Sequence, residues 1–272
     1  MPEGDTLFIA ARKVGAVLTG RVVTRFESPV PELKERDVEG RVVKDVRSQG
    51  KYLIVELDDG RALLSHLRMQ GSWFATEKVD MSERLRAKTA RDVRWDDEDT
   101  TLIIETATSV AVLSRAAVAV LAPLAEIERR IASLGPDLLS PDYDQTEAMR
   151  RLRDHPESTI AEALMLQSIV AGIGNVYKSE ILFIEKVSPF VSVGSLDDAT
   201  LERLLKRAKE LMRRNLHGRR RTRFGSSVGP AYFVYERSGQ HCLKCDTKVR
   251  MLRQGNLQRS TYFCPECQGV KV

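Results

Sequence analysis

The sequence has no cysteine before residue 242, only 6% aromatic residues and no long uninterrupted apolar run. Its longest apolar stretch, residues 110–121, is interrupted by Ser114 and Arg115 and is shorter than the roughly 20 residues that cross a bilayer. A membrane-spanning helix is therefore not expected. The first residues also lack the basic and apolar segments of a secretory signal, so we expect a cytoplasmic protein.

Positive charge is concentrated in one part of the chain. The sequence has 43 Lys and Arg residues against 38 Asp and Glu residues, a net charge of +5. Ten of the basic residues and a single acid, Glu210, lie between Arg203 and Arg223, whereas residues 92–99 carry mostly carboxylates. Such a local excess is typical of a protein that binds a polyanion. The alternative is a solvated helix face followed by a flexible loop at residues 218–229.

The first part of the chain has the pattern of a helix followed by strands. An amphipathic helix beginning near Asp5 or Thr6 and ending at Leu18 is followed by short strand-like runs separated by tight turns. The runs are residues 42–46, 52–57, 62–67, 72–74, 93–95, 102–105 and 110–113. This pattern predicts a two-layer β-sandwich with flanking helices over residues 1–120.

The rest of the chain predicts two further domains. Residues 121–225 have helical patterning, and residues 232–272 form a small cysteine-containing module. The helical stretches are an amphipathic run at 160–170 and longer segments at 176–185 and 197–216. The predicted fold is therefore α+β and multidomain, with a helical domain between the β-sandwich and a C-terminal β-hairpin.

All four cysteines lie in that last module. Cys242 and Cys245 are separated by two residues, as are Cys264 and Cys267, and eighteen residues lie between the pairs. This spacing is typical of one tetrahedral zinc ion held by four thiolates, which leaves no open position and makes the metal structural. The alternatives are four unrelated core cysteines or a redox pair. Arg259, midway through the module, is a candidate for presentation to a partner or simply a solvent-facing charge.

A second motif, Gly172-Ile173-Gly174-Asn175, lies between two predicted helices. Glycines there permit a tight turn, and backbone N–H groups together with the Asn175 side chain can converge on a phosphate at the positive end of the second helix. The alternative is an ordinary interhelical turn capped by asparagine.

The chain start is the third feature. Removal of Met1 before a small residue leaves Pro2 with a free secondary amine, whose pKa near 8 keeps a useful neutral fraction at pH 7. Such an amine can attack the anomeric carbon of a sugar and form a cationic imine, and Glu3 can shuttle the protons. The alternative is that Pro2 has no catalytic role, since proline is common at position 2.

Taken together and in order along the chain, these motifs resemble the formamidopyrimidine-DNA glycosylase/endonuclease VIII family. The matching motifs are Met1-Pro2-Glu3-Gly4, Gln49-Gly50-Lys51-Tyr52, His66-Leu67-Arg68-Met69, Gly172-Ile173-Gly174-Asn175 and Cys242 to Cys267. The resemblance implies that the helical domain is a helix-two-turn-helix DNA-binding unit and that the C-terminal module is a zinc-finger hairpin. It further implies that Pro2 is the Schiff-base nucleophile and Glu3 its acid/base partner.

The resemblance also implies roles for four further residues. Lys51 and Asn175 correspond to phosphate ligands near the lesion, and Lys51 belongs to the catalytic set. Arg259 corresponds to the phosphate ligand of the zinc hairpin, and Met69 to the side chain that fills the gap left in the duplex. From the residues alone, Lys51 can equally be a solvated hairpin lysine, and Met69 a core methionine.

The expected function is that of a bifunctional glycosylase and AP lyase of base excision repair, acting on damaged double-stranded DNA by β,δ-elimination. Oxidised pyrimidines are the favoured lesions. The alternatives are a preference for 8-oxoguanine and formamidopyrimidines, a DNA-binding protein on the same scaffold that does not cut, and an RNA-binding zinc-ribbon protein. The expected cofactor is one structural zinc ion, and the expected state is a monomer associated with the bacterial nucleoid and not with membranes.

The sequence departs from the family pattern in two places. Members of the formamidopyrimidine branch carry a second acidic residue shortly after the first, whereas only Asp5 lies nearby in this chain. They also carry an Arg-Phe pair that probes the base opposite the lesion, and residues 106–116 contain no such pair. We expect the loop at residues 218–229 to become ordered over an extruded base.

Overall fold

The computed structural model describes residues 2–34, 37–78, 99–217 and 230–270. The chain divides into two compact units, one of Met1–Pro2 and Thr6–Ser133 and the other of Glu3–Asp5 and Leu134–Val272. The strand predicted at residues 93–95 and the loop expected at residues 218–229 lie outside the described residues. The same holds for the acidic segment at residues 92–99, except for its last residue.

The first unit contains two four-stranded antiparallel sheets, with strand orders β1-β6-β7-β5 and β2-β3-β4-β8. The strands are β1 Val23–Glu27, β2 Val43–Gln49, β3 Tyr52–Leu57, β4 Arg61–His66, β5 Ser72–Glu77, β6 Thr100–Thr106, β7 Ser109–Ser114 and β8 Val118–Pro123. Within the described residues of this unit, two helices accompany them, α1 Gly4–Leu18 and α2 Leu124–Ile131. The predicted β-sandwich with flanking helices is confirmed.

One hydrophobic core joins α1 to both sheets. Leu7, Val14 and Leu18 of α1 are at most 1% exposed, and they belong to the same cluster as Leu53 of β3 and Leu113 of β7. Complete burial of one such side chain stabilises the fold by about 1.5–3 kcal/mol. The helical spacing of these residues therefore explains why the segment folds as a helix on the sandwich.

Strands β1 and β8 were not predicted from the sequence. Both lie at the edge of their sheets, where a strand has only one hydrogen-bonded neighbour and tolerates charged or exposed side chains. Arg25 and Glu27 of β1 are accordingly exposed and bonded to each other. Such a strand has little apolar alternation for a sequence pattern to detect.

The second unit contains helices and a short hairpin. The elements are α3 Gln145–Arg153, α4 Ile160–Ala163, α5 Asn175–Ile184, a 3-10 turn Val193–Ser195, α6 Asp198–Asn215, and the antiparallel strands β9 Arg250–Gln254 and β10 Arg259–Phe263. Side chains of Asp144, Thr159 and Asp197 cap the starts of α3, α4 and α6. None of the described helices combines the length and apolarity that a bilayer crossing requires.

The helical run expected at residues 160–170 is wrong beyond Ala163. Met165 and Leu166 donate their backbone N–H groups to carbonyls three residues earlier, so the chain continues as tight turns. The Gln167 side chain holds these turns, since its amide donates to the carbonyl oxygens of Met165 and Ile173 and accepts from Gly172 N. Apolar periodicity does not reveal such a local polar contact.

Candidate active site

The carboxylate of Glu3 caps helix α5. Its side chain is fully buried. Oε1 accepts a hydrogen bond from Val176 N at 2.8 Å, and Oε2 accepts from Gly174 N at 3.1 Å and Tyr177 N at 3.3 Å. A helix start leaves such N–H groups without backbone partners, and its positive end favours an anion. Glu3 therefore supplies the side-chain acceptor that Gly174, the residue before α5, lacks.

Two glycines permit this close approach. A Cβ atom on Gly174 would lie 2.4 Å from Cδ of Glu3, and a Cβ atom on Gly4 would lie 2.7 Å from Cε of Met212 and 2.8 Å from Cα of Gly172. Gly4 N also donates to the Gly172 carbonyl at 2.9 Å. Each motif therefore needs its glycine because the other motif packs directly against it.

This arrangement corrects one prediction from the sequence. The backbone N–H groups at the start of α5 were expected to converge on a phosphate, but those of Gly174, Val176 and Tyr177 are taken by Glu3. The donors at a helix start attract any nearby anion, and here the anion is a carboxylate of the same chain. Within this motif, only the Asn175 side chain remains as the predicted phosphate ligand.

Asp5 is anchored by a buried polar network. The Tyr177 hydroxyl donates to Oδ2 of Asp5 at 2.8 Å, and Nδ2 of Asn215 lies 2.6 Å from the same hydroxyl and 3.3 Å from the carboxylate. Asp5 and Asn215 are 3% and 6% exposed. Because every member has a hydrogen-bond partner, the network ties the residues that follow Glu3 to helices α5 and α6 at little desolvation cost.

Asn175 lies in a second polar cluster, on the side of α5 that contacts the hairpin. Its Oδ1 accepts from Nζ of Lys178 at 2.6 Å, and its Nδ2 donates to Oγ of Ser260 at 2.9 Å. Lys178 is 1% exposed and also donates to the Ser260 carbonyl and to Oγ1 of Thr261, both at 2.9 Å. Helix α5 and strand β10 are thus joined through these four residues.

Burial lowers the pKa of Lys178 to about 7. The carboxylates of Glu3 and Glu162 oppose this shift, whereas the positive charge of Arg259 reinforces it. An ammonium group has three hydrogens and the three oxygen acceptors around Nζ match them. The contacts therefore fit the protonated form, although burial makes that form costly.

Arg259 begins strand β10 and is exposed. The strand pairs with β9 in register, with Arg259 opposite Gln254 and Phe263 opposite Arg250. Arg259 is followed on this strand by Ser260, which binds Asn175, and its positive charge is near enough to Lys178 to lower the pKa of that lysine. The structure thus places Arg259 in the same region as the predicted site residue Asn175.

Three other predicted residues belong to the first unit. Lys51 is half-buried in the turn between β2 and β3, Pro2 is half-buried just before α1, and Met69 is 61% exposed in a tight turn after β4. The exposure of Met69 excludes its alternative interpretation as a core residue. A Cβ atom on Gly71 would lie 2.7 Å from the Leu67 carbonyl oxygen, so this glycine allows the turn.

His66 lies beside the Met69 turn. Burial lowers the pKa of His66, and the positive charges of Lys51 and Arg68 lower it further. Its Nδ1 accepts from Arg68 N at 3.0 Å, a contact that fits a neutral imidazole. The ring also packs edge-on against Tyr52, with centroids 5.0 Å apart. The residues that flank Lys51 and Met69 are thereby held in place.

The four cysteine thiols converge at the base of the hairpin. Their Sγ atoms all lie within 4.8 Å of one another, with 3.8 Å between Cys242 and Cys267 and 3.4 Å between Cys245 and Cys264. A tetrahedral metal with bonds of about 2.3 Å to sulfur separates its ligands by about 3.8 Å. The cluster therefore has the geometry of a four-thiolate metal site.

A buried carboxylate connects α5 to the chain that enters this module. Glu180 accepts hydrogen bonds from the backbone N–H groups of Phe233, Val234 and Tyr235 at 2.7, 2.8 and 2.9 Å. Phe233 also packs with Phe183, Cys242 and Cys264 in one apolar cluster. Helix α5 thus holds the chain that enters the cysteine module and, through Lys178, strand β10 within it.

Sequence reasoning missed Lys178, Glu180 and Ser260. The first two are charged residues in a helix in which every position from Asn175 to Phe183 is buried. Buried charged side chains are rare unless they are paired. Charges inside an otherwise apolar helix were therefore the available signal, whereas Ser260 had no distinguishing pattern.

Comparison with known proteins identifies the family. The model of the formamidopyrimidine-DNA glycosylase N-terminal domain matches residues 1–108, and the model of the formamidopyrimidine-DNA glycosylase H2TH domain matches residues 134–225. The helical unit predicted from the sequence is therefore a helix-two-turn-helix domain.

Curated relatives match along nearly the whole chain. A probable endonuclease 8 2 from Streptomyces coelicolor is 41% identical over 98% of this chain and 94% of its own length. The DNA-(apurinic or apyrimidinic site) lyase Nei2 of Mycolicibacterium smegmatis is 34% identical over 98% of this chain and 99% of its own length. A formamidopyrimidine-DNA glycosylase from Symbiobacterium thermophilum is 31% identical over 99% of this chain and 90% of its own length.

Solved structures share the fold. Lactococcus lactis formamidopyrimidine-DNA glycosylase, bound to DNA containing an oxidised pyrimidine, superposes with a TM-score of 0.79 at 22% identity, covering 98% of this chain and 99% of that one. The same enzyme bound to DNA containing an abasic site gives a TM-score of 0.77. With relatives above 30% identity over nearly its full length, the chain belongs to the formamidopyrimidine-DNA glycosylase/endonuclease VIII family.

Proposed function

We propose that this protein is a bifunctional DNA glycosylase and AP lyase of base excision repair, which excises oxidised bases from double-stranded DNA and cleaves the strand. The observation that carries the proposal is the fixed position of Glu3. The residue that directly follows the proposed amine nucleophile is buried, held by three backbone N–H groups and tied to the helix that also carries Asn175. An N-terminal segment without a function would need no such anchoring.

In the proposed reaction, the nitrogen of Pro2 attacks C1′ of the damaged nucleotide. A bond from nitrogen to C1′ forms, the bond from C1′ to the base breaks, and the base leaves with the proton that the nitrogen gives up. The bond from C1′ to the ring oxygen O4′ then breaks as O4′ takes up a proton from solvent, which opens the sugar and leaves C1′ doubly bonded to the nitrogen. The resulting cationic imine acidifies the C2′ hydrogen. Loss of that proton expels the 3′ phosphate, and a second elimination expels the 5′ phosphate, which together constitute β,δ-elimination.

Glu3 is the proposed acid/base partner in these steps. Backbone donors orient its carboxylate, so that it can accept a proton during the reaction and return it to a leaving group. Lys51 is the proposed catalytic phosphate ligand of the first unit. Its ammonium group would hold the backbone beside the lesion and neutralise charge that accumulates there.

Three further residues are proposed to bind DNA. Asn175 binds the residue that follows Arg259, and the charge of Arg259 acts on the lysine that binds Asn175, so that an amide and a guanidinium group would hold phosphates of the same backbone segment. Met69 is proposed to fill the space left by the extruded nucleotide. Its 61% exposure supports this role, because a wedge must project from the surface.

The cysteine cluster is proposed to hold one structural zinc ion through Cys242, Cys245, Cys264 and Cys267. Four thiolates at tetrahedral spacing leave no position for a reacting water. The ion would fix the hairpin that carries Arg259, and the chemistry would remain with the amine and carboxylate of the first residues.

Oxidised pyrimidines are the proposed preferred lesions. Relatives named endonuclease 8 or Nei2 are 34–41% identical to this chain, whereas those named formamidopyrimidine-DNA glycosylase are 28–33% identical. The absence of an Arg-Phe pair in residues 106–116 also supports the endonuclease VIII branch. We further propose that the protein acts as a monomer on the DNA of the nucleoid.

The proposal can be tested with duplexes that contain dihydrouracil, 8-oxoguanine or an abasic site. The zinc-loaded protein should release dihydrouracil faster than 8-oxoguanine and cleave all three duplexes. Glu3→Gln should lower base excision by about 10²–10⁴-fold, the usual contribution of a general acid or base, while DNA binding is retained. Tight binding of these duplexes without cleavage would instead identify a damage-binding protein.

A further inference from the structure

We infer that Lys178 is a positioning residue for DNA binding, which fixes the side-chain amide of Asn175 so that it presents a donor to phosphate. This inference rests on the proposed phosphate-binding role of Asn175. Lys178 itself is 1% exposed, so its ammonium group acts through Asn175 and does not reach DNA.

The orientation of the Asn175 amide follows from its two partners. Nζ of Lys178 carries only donors, so the atom 2.6 Å away must be the acceptor oxygen Oδ1. The opposite end of the amide is then the donor Nδ2, which binds Oγ of Ser260 at 2.9 Å. One Nδ2 hydrogen is used in that contact and the second is left for a phosphate oxygen. Without Lys178, the amide could rotate by 180° and present its oxygen, which would repel a phosphate.

Lys178 also fixes where this donor lies relative to Arg259. Its two other hydrogen bonds go to the Ser260 carbonyl and to Oγ1 of Thr261, both at 2.9 Å. These residues directly follow Arg259 on strand β10. A single ammonium group therefore joins the first turn of α5 to the hairpin, and the two phosphate ligands are held as one unit.

The chemistry of Lys178 is consistent with this role. A lysine that served only to fill space would be replaced by an apolar side chain at lower cost, because burial of an ammonium group is unfavourable. All three of its hydrogens have oxygen acceptors within 2.9 Å. Such complete satisfaction is typical of a buried polar group that specifies one arrangement.

The test is a double-mutant cycle on the full zinc-loaded protein, with a duplex containing a tetrahydrofuran abasic analogue as the probe. Lys178→Met, Asn175→Ala and the double variant are compared by their dissociation constants at about pH 6, where Lys178 is an ammonium group, and at several salt concentrations. We expect Lys178→Met to weaken binding about tenfold, as the loss of one charge-assisted hydrogen bond would. In the Asn175→Ala background it should weaken binding less than twofold, since the amide that it orients is gone and Glu180 still holds the module that carries Arg259 to α5.

Salt dependence separates positioning from direct contact. Because Lys178 does not itself replace counterions, the slope of log K against log salt should remain that of the wild type. A slope smaller in magnitude by roughly 0.9 would indicate that Lys178 contacts a phosphate itself and would overturn the inference. Lys248→Met is the control, because it removes one exposed positive charge from the same module and should leave the cycle unaffected.

Thr261→Val is a second variant that tests the inference even if Lys178→Met fails to fold. It keeps the β-branched shape but removes one acceptor of the ammonium group, so binding should weaken by two- to threefold in the wild type and not further in Lys178→Met. Zinc content and melting temperature are measured for every variant.

The outcomes distinguish the inference from the function on which it rests. If Asn175→Ala binds as tightly as the wild type, the proposed phosphate role of Asn175 fails. Two results would instead contradict the inference about Lys178 while the role of Asn175 stands. In both, Asn175→Ala weakens DNA binding. In the first, Lys178→Met does not change the dissociation constant, and in the second, Lys178→Met weakens binding by the same factor in the wild type and in Asn175→Ala.

Discussion

Glu3 and Val176 are joined by a hydrogen bond of 2.8 Å from the backbone nitrogen of Val176 to Oε1 of Glu3. The third residue of the chain thereby caps a helix that begins at residue 175. The same carboxylate is the proposed acid/base group, so its orientation depends on the helix it caps. The proposed catalysis and the packing of the helix-two-turn-helix domain therefore depend on the same side chain.

Gly174→Ala should displace this carboxylate. The backbone of Gly174 has φ near −122°, which alanine adopts without strain, but the new Cβ atom would lie 2.4 Å from Cδ of Glu3. We expect base excision to fall at least tenfold in single-turnover assays, with the melting temperature also lowered. Gly15→Ala is the control, because its Cβ would meet only ordinary contacts at 3.4 Å or more and should leave excision unchanged. Wild-type excision by Gly174→Ala would contradict the proposed dependence on Glu3.

Met69→Ala should impair function while leaving stability nearly unchanged. The side chain is 61% exposed, and exposed substitutions usually change the free energy of unfolding by less than about 0.5 kcal/mol. Loss of the proposed wedge should slow excision from duplex DNA about tenfold, but not from single-stranded DNA, which has no stack to fill. Val22→Ala, at another exposed apolar position of the same unit, should slow neither reaction. Equal loss on both substrates would argue against a wedge.

Cys264→Ser should release the proposed zinc ion. Cys264 is fully buried within the thiol cluster and the apolar cluster of the module, so loss of one ligand should disorder the hairpin that carries Arg259. We expect zinc content to fall below one ion per chain and DNA affinity to fall at least tenfold, while the Pro2 amine remains reactive toward small aldehydes. Normal DNA affinity without bound zinc would refute a structural role for the metal.

The free energy of unfolding should depend on pH through the protonation of Lys178. Burial lowers its pKa from the ordinary value of 10.5 to about 7, with Glu3 and Glu162 opposing the shift and Arg259 reinforcing it. Between these values, the unfolded chain binds more protons at this site than the folded one does, so its contribution to stability rises with pH from about 7 to 10.5. The difference in free energy of unfolding between the wild type and Lys178→Met should rise by up to about 1.4 kcal/mol per pH unit in this range. Urea titrations at several pH values measure it, and a flat difference would contradict the shift.

The sequence predicted those parts of the molecule that have a regular pattern. Helical spacing identified α1 and α6, strand alternation identified six of the eight described strands of the first unit, and cysteine spacing identified the thiol cluster. Edge strands β1 and β8 were missed because neither alternates regularly between apolar and polar residues: β1 carries exposed charged residues and β8 is a continuous apolar run. Residues 164–170 were misassigned because Gln167 holds them as turns.

The site could be predicted only in part, for a physical reason. Motifs revealed which residues take part, but not which of them bind one another. That Glu3 occupies the helix start expected to bind phosphate, or that Lys178 joins Asn175 to Thr261, follows from tertiary contacts between residues distant in sequence. The roles of the predicted residues in DNA binding and catalysis stay predictions that experiments with DNA test: Pro2, Glu3, Lys51, Met69, Asn175 and Arg259.

Borohydride trapping tests the central claim most directly. The protein, lacking Met1 and loaded with zinc, is reduced in the presence of duplexes containing dihydrouracil or an abasic site, and the cross-linked peptide is mapped by mass spectrometry. The imine mechanism predicts a covalent adduct on the nitrogen of Pro2, and none with protein acetylated at that nitrogen. A trapped adduct at a lysine, or no adduct on either duplex, would contradict the assignment of Pro2 as the nucleophile.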